Sequence, residues 1–157
     1  MTEAIEIRVC DAIASWINDQ ADLPTHTTLK YERPPAVLPE MCPLLVVWYL
    51  RKQYAPVTTS KFDNALFIGV TWQVSGVIRA TTLLADEETA KKNLQHMSNI
   101  EKSLRELSVH GWIDGYLVEE AYDLIPTRMD PEPPMRLETG LIRGYSIAVT
   151  VSVTEKG

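Results

Sequence analysis

The sequence predicts an α+β domain: a mainly antiparallel sheet, an N-terminal helix and one long central helix packed on one face, and long strand hairpin extensions. Three observations predict it. Residues 68–81 and 145–154 alternate apolar and polar side chains with period two, the mark of strands. Residues 3–18 and 86–108 carry apolar side chains at spacings of three and four, the mark of amphipathic helices. Strands also follow one another in pairs and do not alternate with helices, which favours antiparallel pairing.

The 157 residues suit one domain spanning 1–157, and 45% hydrophobic with 23% charged residues is a globular composition. The longest wholly apolar run, Leu44 to Leu50, is far short of the ~20 residues a membrane helix needs. Met1-Thr2-Glu3-Ala4 lacks the basic start and apolar stretch of a signal peptide. A net charge of −6 argues against duplex DNA as the main ligand, because neutralising phosphates requires a concentrated positive face.

The first helix places Ile5, Val9, Ala12, Ile13 and Trp16 on one face, with Thr2 as its expected N-cap and an end before Leu23-Pro24. A short strand is expected over Thr27–Tyr31. Arg33 to Pro43 holds four prolines, which exclude helix interior and central strand, so this stretch is a connector. It leads into a buried strand over Leu44–Arg51. Residues 52–64 are mostly polar without a period and are expected to form a long loop. In the next strand Ile68, Val70, Trp72, Val74, Ile78 and Ala80 share one parity, which predicts one wet face, with Gly76 marking a bulge or bend.

Asp86 is the expected cap of the central helix, whose stripe is Ala90, Leu94, Met97, Ile100, Leu104 and Leu107. Glu101 and Arg105 form one of three i,i+4 pairs, and Gly111 is the expected stop. Residues 115–125 fit strand or helix; β-branched and aromatic content favours strand. Residues 126–136, with four prolines, form the second expected loop. Tyr145, Ile147, Val149, Val151 and Val153 define the last strand, followed by a loose tail at Glu155-Lys156-Gly157.

Residues that could carry chemistry are scattered. His26 falls in a polar loop, His96 is expected as a solvated histidine on the long helix, and His110 as a cap for that helix's carbonyls. Neither Cys10 nor Cys42 belongs to a CxxC or zinc spacing, which predicts two free thiols. Asp114, Glu119, Glu120 and Asp123 resemble an acidic cluster, but on a strand Glu120 faces away from Glu119 and Asp123. Trp16, Trp48 and Trp72 are expected in the core. No catalytic residue, cofactor or metal ligand is assigned. A strand of more than ten residues either pairs within the chain as a long hairpin or meets something outside it.

The N-terminal helix, the proline-rich stretch entering Leu44-Leu45-Val46-Val47, and the strand Trp72-Gln73-Val74-Ser75-Gly76-Val77-Ile78 stand in a distinctive order. With the Asp86–Leu107 helix and Tyr145-Ser146-Ile147-Ala148-Val149-Thr150-Val151, they resemble the tail terminator (tail completion) proteins of long-tailed bacteriophages. The likeness covers nearly the whole chain and is one of size and element order, without a signature motif. It implies a non-enzymatic virion protein at the neck end of the tail, made in the host cytoplasm. Such a subunit forms a homohexameric ring that caps the tail tube, stops its polymerisation and meets the head–tail connector protein. DNA would pass through the lumen only as cargo, and no membrane is involved. A ring needs unlike faces that meet with a rotation that closes. On this reading, contacts with the tail tube protein or connector fall in the two loops, at Tyr54, Lys61, Phe62, Arg128, Met129 and Asp130. Two alternatives remain: another virion joining protein (connector stopper or minor tail subunit), or a small ligand-binding or enzymatic domain using Asp114, Glu119 or His110 around Trp112.

Overall fold

In a computed structural model, which describes residues 3–76, 87–114, 119–137 and 140–156, the chain is α+β. Helix α1 spans Ile5–Gln20 and buries Ile5, Val9, Ala12, Ile13, Trp16 and Ile17. Its N-cap is Ala4, without a side-chain cap bond, and Thr2 lies outside the described residues. The helix stops at Ala21, whose N–H donates to the Ile17 carbonyl, ahead of Pro24 as expected.

Strand β1 (Thr27–Tyr31) runs parallel to β2 (Leu44–Gln53); the paired neighbours beyond are all antiparallel. The proline-rich residues 32–43 make the crossing, with a 3-10 turn at Pro39–Met41 and a cis Cys42–Pro43 peptide. The expected loop over 52–64 is instead a hairpin. Strand β2 continues to Gln53, β3 covers Pro56–Thr58, and β4 (Lys61–Gly76) begins inside the stretch. Its polar side chains hid the pairing, because most are exposed and the covered ones, Lys52 and Asn64, are satisfied by bonds to Glu155.

Helix α2 covers Glu87–Asp114 and passes through Gly111, so that glycine is not the stop; Asp86 lies outside the described residues. A glycine within a helix costs about 1 kcal/mol, and less in the last turn, where Gly111 lies. Met97, Ile100, Leu104 and Leu107 are buried as expected, but Leu94 is exposed and Asn93 is buried in its place. Arg105 and Glu101 pair at 2.8 Å.

Strand β5 is Ala121–Pro131, β6 is Met135–Leu137 and β7 is Gly140–Lys156. Thus the expected second loop, 126–136, is mostly strand. Its Pro126 and Pro131 lie on an edge strand, where proline is tolerated. Of the ambiguous 115–125 stretch, residues 115–118 lie outside the described set, 119–120 form a turn, and 121–125 are strand. A bulge between Ala121 and Asp123 breaks the simple alternation there.

The sheet order is β1-β2-β4-β7-β5, with β3 on β4 and β6 on β7. Strands β4 and β7 pair along their lengths, from Lys61↔Lys156 to Gly76↔Leu141, so the long strands find their partners within the chain. Of the expected tail, Glu155 and Lys156 are strand and not loose, Glu155 accepting from Lys52 Nζ at 3.0 and 3.1 Å and from Asn64 Nδ2 at 2.6 Å; Gly157 lies outside the described residues.

Both helices cover one face, where Leu45, Val47, Ile68, Val70, Trp72, Ile147, Val149 and Val151 join the helical stripes in the main core. The opposite face of β4 is not wet throughout, since Thr71 and Gln73 are also buried. A second cluster built on Val37, Leu44, Val46 and Ile142 covers that half of the sheet under the proline-rich crossing.

Candidate functional site

The six side chains expected at an interface fall into two groups. Tyr54 is 69% exposed at the β2–β3 turn, close in sequence to Lys61 and Phe62 at the start of β4. Arg128, Met129 and Asp130 sit on the outer strand β5. Phe62 pairs with Glu155 and Arg128 with Ala148, so seven residues of β7, about 23 Å at ~3.3 Å per residue, separate their rows. The two groups do not make one site.

Strand β5 nonetheless carries exposed side chains on both faces, Ile125 beside Thr150 and Met129 beside Ile147. It ends the sheet, and Tyr122, Ile125 and Met129 stand exposed along it. Arg128 pairs with Asp130 on the same strand. At the opposite end of the sheet, β1 covers only the Leu44–Trp48 half of β2. Below Tyr31 no strand among the described residues pairs with Tyr49–Gln53 on that side, and Tyr49 and Leu50 are exposed there.

A cavity of about 340 Å³ opens at this step, lined by Glu6, Ile7, Cys10, Tyr31, Glu32 and Tyr49. Its shape depends on Tyr31, which has φ 80°, a left-handed conformation uncommon outside glycine. In an ordinary strand Lys30 and Tyr31 would point to opposite faces. Here both reach Asp11 of α1: Lys30 Nζ at 2.9 Å, and the Tyr31 hydroxyl donating at 2.7 Å. These bonds hold the turned residue. Burial, with Asp11 and Glu6 adding to it, pushes the Cys10 thiol up to about 12, so it stays protonated and acts as an apolar wall. Both cysteines are free.

His26 lies in a loop as expected, whereas His96 is not the solvated histidine expected. His96 is half-buried and its ring packs edge-on against Trp72, centroids 5.7 Å apart. His26 packs against Trp72 at 5.3 Å, with Nδ1 2.7 Å from the Pro24 carbonyl and Nε2 2.8 Å from Asn18 Oδ1. Trp72 Nε1, Asn93 Oδ1 and His96 Nδ1 are buried without hydrogen-bond partners. His110 falls inside α2, and its side chain, with those of Trp112 and Asp114, lies outside the described residues. Glu119 is exposed in a turn, whereas Glu120 takes a bidentate bond from Arg8 at 2.8 and 3.2 Å. That bond holds the Glu120 carboxyl below its ordinary range. Trp16 and Trp72 are core residues, while Trp48 is half-buried under the Arg33 guanidinium. Among the described residues no group of three or more His, Cys, Asp or Glu side chains could hold a metal, and no helix is long and apolar enough to cross a membrane.

Sequence reasoning missed the cavity, because nothing local marks Tyr31 as left-handed; the conformation follows from the contact with Asp11, twenty residues earlier. Compared with models of known protein families and with curated proteins, the chain matches none.

Proposed function

We propose that the protein is the ring-forming subunit of a phage tail terminator: it closes the end of the tail tube, stops tube growth and offers a surface to the head–tail connector. The observation that carries this reading is the pair of unlike sheet edges. A long uncovered strand edge invites pairing with another chain, and here both ends of one sheet carry large apolar side chains in solvent. Unlike edges meet head to tail, which generates a ring when the rotation closes. The element order resembles that of the terminators, and the exposed β2–β3 turn at Tyr54 supplies a separate surface for the tube or connector.

The test is the solution mass of the protein by light scattering, with negative-stain imaging, followed by addition to polymerising tail tube protein. Closed rings that cap and arrest tubes are expected. Rings that leave tube growth unaffected would turn the assignment towards another virion joining protein. A two-fold dimer, or a monomer even on tubes, would overturn it.

A further inference from the structure

We propose that the cavity beside Tyr31 binds a small organic cation, an ammonium group on an apolar body, with its charge beside Glu32 and the ring of Tyr49. This site does not depend on ring formation.

Size and lining set the class of ligand. A volume of about 340 Å³ lies at the lower end of the ~300–1,000 Å³ of small-molecule sites. Two of the lining residues are acids, Glu6 and Glu32. The others are Ile7, the two tyrosines and the protonated Cys10, which suit a hydrocarbon body.

The charge around the cavity is unbalanced. Lys30 pairs with Asp11 at 2.9 Å, but Lys52 is shared between Glu6 at 2.6 Å and Glu155 at 3.0 Å. One ammonium group there faces two carboxylates. Glu32 is exposed and makes no ion pair among the described residues. Its sequence neighbour Arg33 is turned away from it, onto Trp48 and Glu132. The excess charge acts inside the cavity. Burial, with Asp11 and Glu6 adding to it, raises the Cys10 thiol, and burial with Glu6 does the same to the Tyr49 hydroxyl.

The aromatic rings show the same gap. Basic groups stand over Tyr31, Trp48 and Phe67, at 5.5, 5.1 and 4.4 Å from the ring centroids. Among the described residues none stands over Tyr49, which lines the cavity together with Glu32. An ammonium group bound there meets a ring face and a carboxylate at once. A metal ion does not fit. Glu32, with a Glu6 already bound to Lys52, offers too few oxygens for a hard cation, and no metal-holding group occurs among the described residues.

The test is an NMR titration of the isotope-labelled full chain with 2-phenylethylammonium, and with 2-phenylethanol as its uncharged counterpart. The amine should shift the amides of Ile7, Cys10, Tyr31, Glu32 and Tyr49, and bind about tenfold more tightly than the alcohol. Glu32→Gln and Tyr49→Leu should each remove most of that preference and leave the weaker alcohol binding in place. Asp130→Asn, on the strand at the other end of the sheet, should leave the preference unchanged. Glu32 is exposed, so its variant changes charge without touching the core, and the amide spectrum reports folding of all three. Equal binding of amine and alcohol, or a preference that survives Glu32→Gln, would overturn the charged site. A preference lost equally in Asp130→Asn would reduce it to attraction by the net charge. Shifts confined to other surfaces, or none, would overturn the cavity as a site.

Discussion

The two faces of the sheet are closed by different means. On one, two amphipathic helices present stripes matched to strand alternation, and the contact is apolar along most of its length. On the other, an irregular proline-rich segment lies across half the sheet and is held by a small cluster and a few specific contacts. Trp48 lies over Gly69 and donates from Nε1 to Thr71 Oγ1 at 3.0 Å, while Arg33 stacks on Trp48 and pairs with Glu132 at 3.2 Å. The helical face derives its stability from area. The other face depends on shape, so a small change in the wrong place should matter more there than its apolar area suggests.

The largest effect should come from the helical face. Leu104 is fully buried in the main core, and Leu104→Ala should cost about 2–5 kcal/mol through lost transfer energy plus the cavity left behind. Val37, in the smaller cluster, should cost about 1–2 kcal/mol as Val37→Ala, at ~0.8 kcal/mol per methylene. Urea unfolding of both variants checks the ordering. Equal losses would mean that the two clusters form one cooperative core.

The next test separates shape from area. A methyl group at Gly69 would collide with the indole of Trp48, so Gly69→Ala must displace that ring. The expected cost is about 1–3 kcal/mol, the usual range for overpacking. The same move should break the Nε1–Thr71 bond and shift Trp48 fluorescence towards solvent. An unchanged spectrum would show that the face tolerates displacement and that the contact is not what holds the segment.

This asymmetry also explains what was legible in the sequence. Val149, Val151 and Val153 alternate because one core lies on one side of them, and that physics is local. The strand at Lys61–Asn64 was hidden because its register on β7 is set by Val153 to Lys156, about ninety positions away, and Pro56–Thr58 because it is only three exposed residues paired with Phe62 and Lys61. Thr71 and Gln73 read as solvent-facing because nothing in their own segment announces the cover that arrives from Val37 and its neighbours. Of the candidate site, the Arg128–Asp130 stretch was legible as exposed but not as a strand. The cavity at Tyr31 was not legible at all, since its backbone conformation depends on a tertiary contact.

The smallest expected effect concerns the polar intrusion in the otherwise apolar face. Burial lowers the pKa of His96 from its ordinary 6.5, and Lys92 acts in the same sense against an opposing pull from Asp22. The folded state therefore binds a proton less readily than the unfolded chain. Stability from the neutral ring is fully present above the unfolded value and is lost as pH falls through 6.5 towards the lower folded value. His96→Phe keeps an aromatic ring against Trp72 and removes the titration. Its melting temperature should consequently fall less than that of the unaltered chain over this interval. Parallel curves for the two proteins would place the acid sensitivity elsewhere and would mean that the Trp72–His96 contact accommodates a charged ring without cost. In that case the helical face would be less purely apolar in its working than its residues suggest, and the contrast with the opposite face would narrow.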